Sequence, residues 1–266
     1  MFLDTKSGKI AFETRGDKAN KNILFIHGFP FDKSMWNEQA ELLANDHFVV
    51  TFDMRGHGES AAGSGQYLVE FYVDDVIAIM EHLGLEKTCL CGLSMGGYTA
   101  MRAVDREPQR FSGLVLCDTK SSPDSNEAKI NRANQIKTLL AGNKAQFVEA
   151  QIKALLAPKT FESNKQTVER VRNMIESTSD TALIGTMIAL SARMDMTGSL
   201  TRITVPTLII VGKQDRITTL TDAGEMHAAI KGSRMTVVHD AGHISNLENS
   251  TEFNAALQKF LSANNL

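Results

Sequence analysis

Six short runs constrain this chain more than any other feature: NILFIHG (22–28), HFVVTFD (47–53), TCLCG (88–92), GLVLCD (113–118), PTLIIVG (206–212) and RMTVVHD (234–240). Each is mostly apolar and closes on Gly or Asp. A strand with one wet face alternates apolar and polar residues. A strand without that alternation is buried on both faces, as in a parallel sheet covered by helices. Segments of helical spacing lie between and after the runs, at 34–43, 68–83, 95–106, 220–230 and 251–261. Strand–helix alternation of this kind predicts an α/β chain: a mostly parallel, doubly wound sheet with right-handed crossovers and helices on both faces. KIAFET (9–14) alternates instead and predicts a further strand, entered through a turn at Ser7–Gly8.

One interval breaks the rhythm. Residues 119–203 contain no strand-like run, and their period is helical. They are predicted to form a helical insertion, a cap, between two core strands. The core is then 1–118 with 204–266, within the range of a single domain for 266 residues.

Composition narrows the function classes. The net charge is −3, and no run of basic residues offers a face to nucleic acid or anionic lipid. No apolar stretch approaches the roughly 20 residues needed to span a bilayer. The opening MFLDTKSGKI has no basic segment leading into an apolar one, so no secretory signal is expected. Cys89, Cys91 and Cys117 all sit in strand-like runs. An odd number of thiols in such contexts predicts free core cysteines and a reducing, cytoplasmic setting. No HExxH and no paired Cys/His spacing occurs, so neither metal nor cofactor is expected.

The chemistry concentrates at CGLSMGG (91–97). Gly in an element interior costs about 0.5–1 kcal/mol relative to Ala. Three of them around one serine, directly between a strand and a helix, mark a backbone held in an unusual shape. Gly92 to Gly96 matches G-x-S-x-G, the turn that lifts a serine hydroxyl off the end of a strand. A glycine-rich turn with an incidental serine would look the same up to this point, so the partners decide. Exposed serine is a weak nucleophile without a base, and the base needs a carboxylate to orient it. His243, in DAGHISNLE after the last run, is the candidate base. Asp215, in GKQD after the preceding run, is the candidate acid. Asp118, ending GLVLCD, is its rival, with a tether for the start of the insertion as its other reading. The Met95 N–H, at the start of the following helix, and the Phe29 N–H, in HGFP, are candidate donors to a developing oxyanion. His27 and His57 read as structural ties within their loops.

The set HGFP, DMRGHGES, GLSMGG, VGKQD and AGHISNLE resembles the α/β-hydrolase fold family over the whole chain. The chain order Ser94, Asp215, His243 fits that family. GLSMGG and AGHISNLE resemble bacterial 3-oxoadipate enol-lactonases, and HGFPFDKSMW resembles cofactor-free haloperoxidase-like esterases. The resemblance implies a serine hydrolase of small carboxylic esters; a 3-oxoadipate-type enol-lactonase and a triad-retaining small-molecule receptor are the alternatives. Serine at the elbow, where dehalogenases and epoxide hydrolases carry Asp, disfavours those two. The partner implied is a small ester or lactone, with neither nucleic acid nor membrane. Phe29, Trp36, Met187 and Leu190 are candidate substrate contacts. Lys33 reads as solvated, Arg55 as structural, and Arg193 as a cation able to reach inward. The apolar segment 182–194 predicts a pocket for neutral acyl or aryl groups.

Overall fold

The computed structural model describes residues 1–5 and 8–266. Eight strands form one sheet: β1 (Phe2–Thr5), β2 (Gly8–Arg15), β3 (Lys21–Ile26), β4 (His47–Phe52), β5 (Thr88–Leu93), β6 (Phe111–Cys117), β7 (Thr207–Gly212) and β8 (Arg234–Val238). Their order across the sheet is β1-β2-β4-β3-β5-β6-β7-β8. From β4 onward across the sheet every pairing is parallel; β1–β2 and β2–β4 are antiparallel. The six runs thus form one continuous parallel sheet, as their lack of alternation requires. All of β5 and β7 is buried, whereas β8, at the sheet's edge, is only half-buried. Strand β1 escapes sequence reading because four residues are too few for a period. The turn expected at Ser7–Gly8 falls partly outside the described residues, which omit Ser7.

Helices follow the strands as their spacing predicts: α1 (Asn37–Leu43), α2 (Val69–Leu83), α3 (Met95–Arg106), then α9 (Leu220–Ala229) and α11 (Ser250–Asn264), with the short α10 (Ser245–Glu248) added in the loop after β8. Between β6 and β7 lie α4 (Asn126–Leu140), α5 (Lys144–Leu155), α6 (Pro158–Ser163), α7 (Lys165–Ser177) and α8 (Asp180–Ser191). Side-chain oxygens of Ser125, Asn164 and Ser179 accept from the first turns of α4, α7 and α8. These caps define three starts in a region whose composition alone gives little punctuation. Among the described residues no helix is long and apolar enough to cross a membrane. The three cysteines are free and buried.

Candidate active site

Ser94 stands between β5 and α3 with φ 51° and ψ −109°. A β-carbon-bearing residue at positive φ is strained and persists only where its surroundings hold it. Here the Ser94 N–H donates to the Cys117 carbonyl at 2.9 Å, and the Ser94 carbonyl accepts from Thr119 Oγ1 at 2.8 Å. The flanking glycines allow the close approach. A β-carbon on Gly92 would lie 2.2 Å from the Gly96 carbonyl oxygen, and one on Gly96 would lie 2.2 Å from that of Ile26. Strand β3, strand β5 and the first turn of α3 therefore meet backbone to backbone beneath the serine.

The hydroxyl of Ser94 lies 2.8 Å from Nε2 of His243, and Nδ1 of His243 lies 2.8 Å from Oδ2 of Asp215. A carboxylate at Nδ1 keeps the proton there, which leaves Nε2 free to accept from Ser94. Asp215 is itself fixed. Its Oδ1 accepts the N–H groups of Ile217 and Thr218, and its Oδ2 accepts Thr218 Oγ1 at 2.7 Å. Thr218 Oγ1 is also 3.2 Å from His243 Nδ1. Sequence reading passed over Thr218, although a threonine three residues after a strand-end aspartate can form such a turn.

The electrostatics follow from burial and charge. Burial alone would lower the His243 pKa, but the carboxylates of Asp215, Asp118 and Glu248 outweigh it and raise the imidazole above its ordinary value. Burial acts to raise Asp215, and the His243 charge and hydrogen bonds overcome it, so its carboxyl sits below the ordinary range. Asp118 differs. It is fully buried, and burial with the Asp215 charge pushes it up to about 8. Its Oδ1 accepts the Gly212 N–H at the end of β7, and its Oδ2 accepts the N–H and hydroxyl of Ser245 at the start of α10. It braces the two segments beside Asp215 and His243, and not the start of the insertion as its position in sequence suggested.

The serine opens into a cavity of about 350 Å³, lined near Ser94 and His243 by Phe29, Tyr98, Leu190 and Ile217. Insertion helices α4 and α5 contribute Asn131, Arg132, Gln135 and Gln151 to the same lining. Phe29 and Leu190 thus stand where expected. Trp36 does not: it is fully buried, its ring 4.8 Å from Phe25 and 6.1 Å from Phe253. Met187 is also fully buried and lines no part of this cavity. Met187 and Leu190 lie three residues apart on one face of α8, so it is their position along the helix, and not its face, that separates them. Among the described residues the N–H groups of Phe29 and Met95 have no protein acceptor. Met95 opens α3, where the helix itself provides none.

One expectation about cations changes. Lys33 is buried, not solvated, because its ammonium meets Asp53 at 2.9 Å and Glu59 at 2.5 Å. Arg193 does not reach the cavity at Ser94; it is buried against Asp124 and stacks over Tyr98. Arg55 pairs with Asp75 as a structural cation. His27 donates from Nδ1 to the Gly28 carbonyl and accepts the Met54 N–H at Nε2, tying two loops. Among the described residues no three His, Cys, Asp or Glu gather as a metal site.

A model of the α/β hydrolase fold matches residues 21–250. The chain belongs to the α/β hydrolase fold family. This α/β hydrolase is 30% identical to 3-oxoadipate enol-lactonase 2 of Acinetobacter baylyi over 97% of its own length and 96% of that protein's. Among solved structures it resembles a thermophilic esterase from Thermogutta terrifontis, with TM-score 0.94, 32% identity and coverage of 100% of this chain and 99% of that one. It also resembles the enol-lactonase of Burkholderia xenovorans, with TM-score 0.92, 27% identity and coverage of 98% and 100%.

Proposed function

We infer that this α/β hydrolase is a serine hydrolase of small carboxylic esters. The observation that carries the reading is the unbroken chain Ser94 Oγ, His243 Nε2, His243 Nδ1, Asp215 Oδ2, with 2.8 Å at both hydrogen bonds. His243 takes the hydroxyl proton as Ser94 attacks the ester carbonyl. The carbonyl oxygen gains the charge and is held by the N–H groups of Met95 and Phe29. His243 then gives the proton to the departing alkoxide, leaving an acyl-serine. Water, deprotonated by His243, releases the acid. Helices α4–α8 act as a cap over the reaction.

Turnover of p-nitrophenyl butyrate tests the reading, together with labelling by diethyl p-nitrophenyl phosphate. Ser94→Ala is expected to lose both, with kcat down by several orders of magnitude. Retained turnover in that variant would remove Ser94 from the mechanism.

A second reading, a lactonase of the 3-oxoadipate type, is favoured by one observation. Two guanidiniums, Arg132 and Arg216, line the reaction cavity and no Asp or Glu does. Among the described residues Arg216 forms no ion pair. The expectation of a purely neutral substrate rested on segment 182–194, from which only Leu190 lines this cavity. Comparing kcat/KM for p-nitrophenyl butyrate with that for 3-oxoadipate enol-lactone separates the readings. Preference for the charged lactone, reduced in Arg216→Ala, would establish the second.

A further inference from the structure

The chain has three tyrosines, Tyr67, Tyr72 and Tyr98. The Tyr67 hydroxyl donates to the Ala62 carbonyl at 2.6 Å, and that of Tyr72 lies 3.2 Å from Thr186 Oγ1. Tyr98 differs. It is 6% exposed, and among the described residues its hydroxyl has no hydrogen-bond partner. Yet its oxygen is not sealed inside the protein. A buried phenol ordinarily finds a partner. One that has none and still meets open space is placed to serve a ligand.

The reaction cavity supplies that space. Tyr98 lies on the first turn of α3, where its N–H donates to the Ser94 carbonyl at 3.1 Å. Its side chain lines the cavity together with Ser94, Leu190 and Ile217. It also borders a second cavity, of about 190 Å³. Arg193 stands on that side: it lines the second cavity and not the first, and its guanidinium covers a face of the Tyr98 ring at 4.3 Å. Arg193 is held in turn by Asp124 and by the carbonyls of Leu190 and Ser122, so the ring has a fixed support. The charges acting on the phenol include Arg132, which lines the reaction cavity, and Asp215, which orients His243. Burial raises the phenol pKa above its ordinary value, so the hydroxyl keeps its proton and acts as a donor.

The mechanism limits what the donor can meet. The reacting carbonyl oxygen goes to the N–H groups of Met95 and Phe29. A donor one helical turn from Ser94 therefore meets a neighbouring part of the substrate. The acyl group stays on Ser94 through both half-reactions, whereas the alcohol leaves after the first. We propose that Tyr98 is a specificity-determining residue whose hydroxyl donates a hydrogen bond to an oxygen in the acyl chain, so that alkoxy-, keto- or hydroxyacyl esters are favoured over all-carbon ones. This role rests on the serine-hydrolase reading of Ser94. Without the hydroxyl, an acyl-chain oxygen is left unpaired in the cavity, while an all-carbon chain loses no hydrogen bond.

Two isosteric pairs of esters test the role. p-Nitrophenyl methoxyacetate replaces one acyl methylene of p-nitrophenyl butyrate with oxygen. 2-Methoxyethyl acetate does the same to butyl acetate on the alcohol side. The ratio of kcat/KM within each pair, compared between wild type and variant, cancels the intrinsic reactivity of each ester and any general damage to the site. Tyr98→Phe removes a hydroxyl that makes no bond within the protein and keeps the ring beneath Arg193. A melting curve checks that it is folded. In Tyr98→Phe the methoxyacetate-to-butyrate ratio is expected to fall about tenfold, and the alcohol-side ratio to stay within about twofold. An unchanged acyl-side ratio would overturn the proposal, as would a loss confined to the alcohol-side pair. A wild type that turns over none of the four esters would overturn the esterase reading and this role with it. Turnover with an unchanged acyl-side ratio would overturn the role alone.

Discussion

Asp118 directly follows β6 and Asp215 lies in the loop after β7, and both act on His243, yet their hydrogen bonds separate them. Asp215 meets Nδ1 of His243 directly, whereas Asp118 spends its oxygens on Gly212 and Ser245. Loss of the orienting carboxylate cost on the order of 10⁴ in kcat in the serine-protease example. Asp215→Asn is expected to show a loss of that kind in ester turnover, and Asp118→Asn a loss of about tenfold or less with a lower melting temperature. The reverse ranking would move the acid to β6. His243 also sets a pH dependence. A base works only when neutral, and the Asp215, Asp118 and Glu248 charges raise its pKa. The acid limb of kcat/KM is therefore expected to have its midpoint above the ordinary imidazole value of 6.5. A pH–rate profile with a midpoint at or below that value would contradict the electrostatics described.

At the scale of elements, Gly96 at the junction of β5 with α3 and Glu248 at that of the insertion with the His243 loop are vulnerable points. Gly96 is pressed against the Ile26 carbonyl, which is backbone and cannot swing aside. Gly96→Ala is expected to cost about 2 kcal/mol, the range of overpacked sites, and to lower kcat because the strain passes to Ser94. Chemical denaturation alongside turnover measures both. At the other junction, the half-buried Glu248 carboxylate accepts Ala157 N–H, Thr160 Oγ1 and Gly242 N–H at 2.7, 2.6 and 2.8 Å. The His243 N–H reaches the Leu155 carbonyl at 2.8 Å. Glu248 thus bolts the α5–α6 corner to the loop bearing His243. Glu248→Gln sets an amide N–H₂ against some of those donors and is expected to lower kcat more than it raises KM, because the base and not the cavity is displaced. Unchanged kcat would show that the loop holds its shape without the bolt.

Across the whole molecule, the buried neutral histidines His27 and His57 are expected to contribute to the loss of stability in acid. Burial lowers His27 to about 4, and burial with the neighbouring His27 lowers His57 to about 3. Both pKa values lie below those of the unfolded chain, so the unfolded state binds more protons as pH falls under 6.5. The stability that the neutral forms contribute is complete above pH 6.5 and is lost as pH falls toward 4 and 3, at about 1.4 kcal/mol per unit for each group. Melting temperature is therefore expected to fall from pH 7 to pH 4.5, and His57→Gln is expected to flatten that slope. An unchanged slope in the variant would assign the acid limb to the carboxylates instead.

The sheet, the elbow and the residues that meet at Ser94 were legible in the chain because each depends on local rules. Uninterrupted apolar runs demand two covered faces, and glycines at 92 and 96 are required where three backbones converge. Serine, acid and histidine fall at strand ends, where a parallel sheet gathers its loops. The insertion was legible only as helical. Met187 and Leu190 share a face of α8, and which of them lines the cavity at Ser94 depends on how the helix packs against α4 and the core. The same holds for the ions. Lys33 looked solvated until folding placed Asp53 and Glu59 against it, and nothing local to Arg193 names Asp124 and Tyr98 as the groups that enclose it. Periodicity reports how one segment meets an average environment. Partners distant in sequence, such as Asp124 with Arg193 or Glu248 with Ala157, are brought together only by the closed tertiary fold.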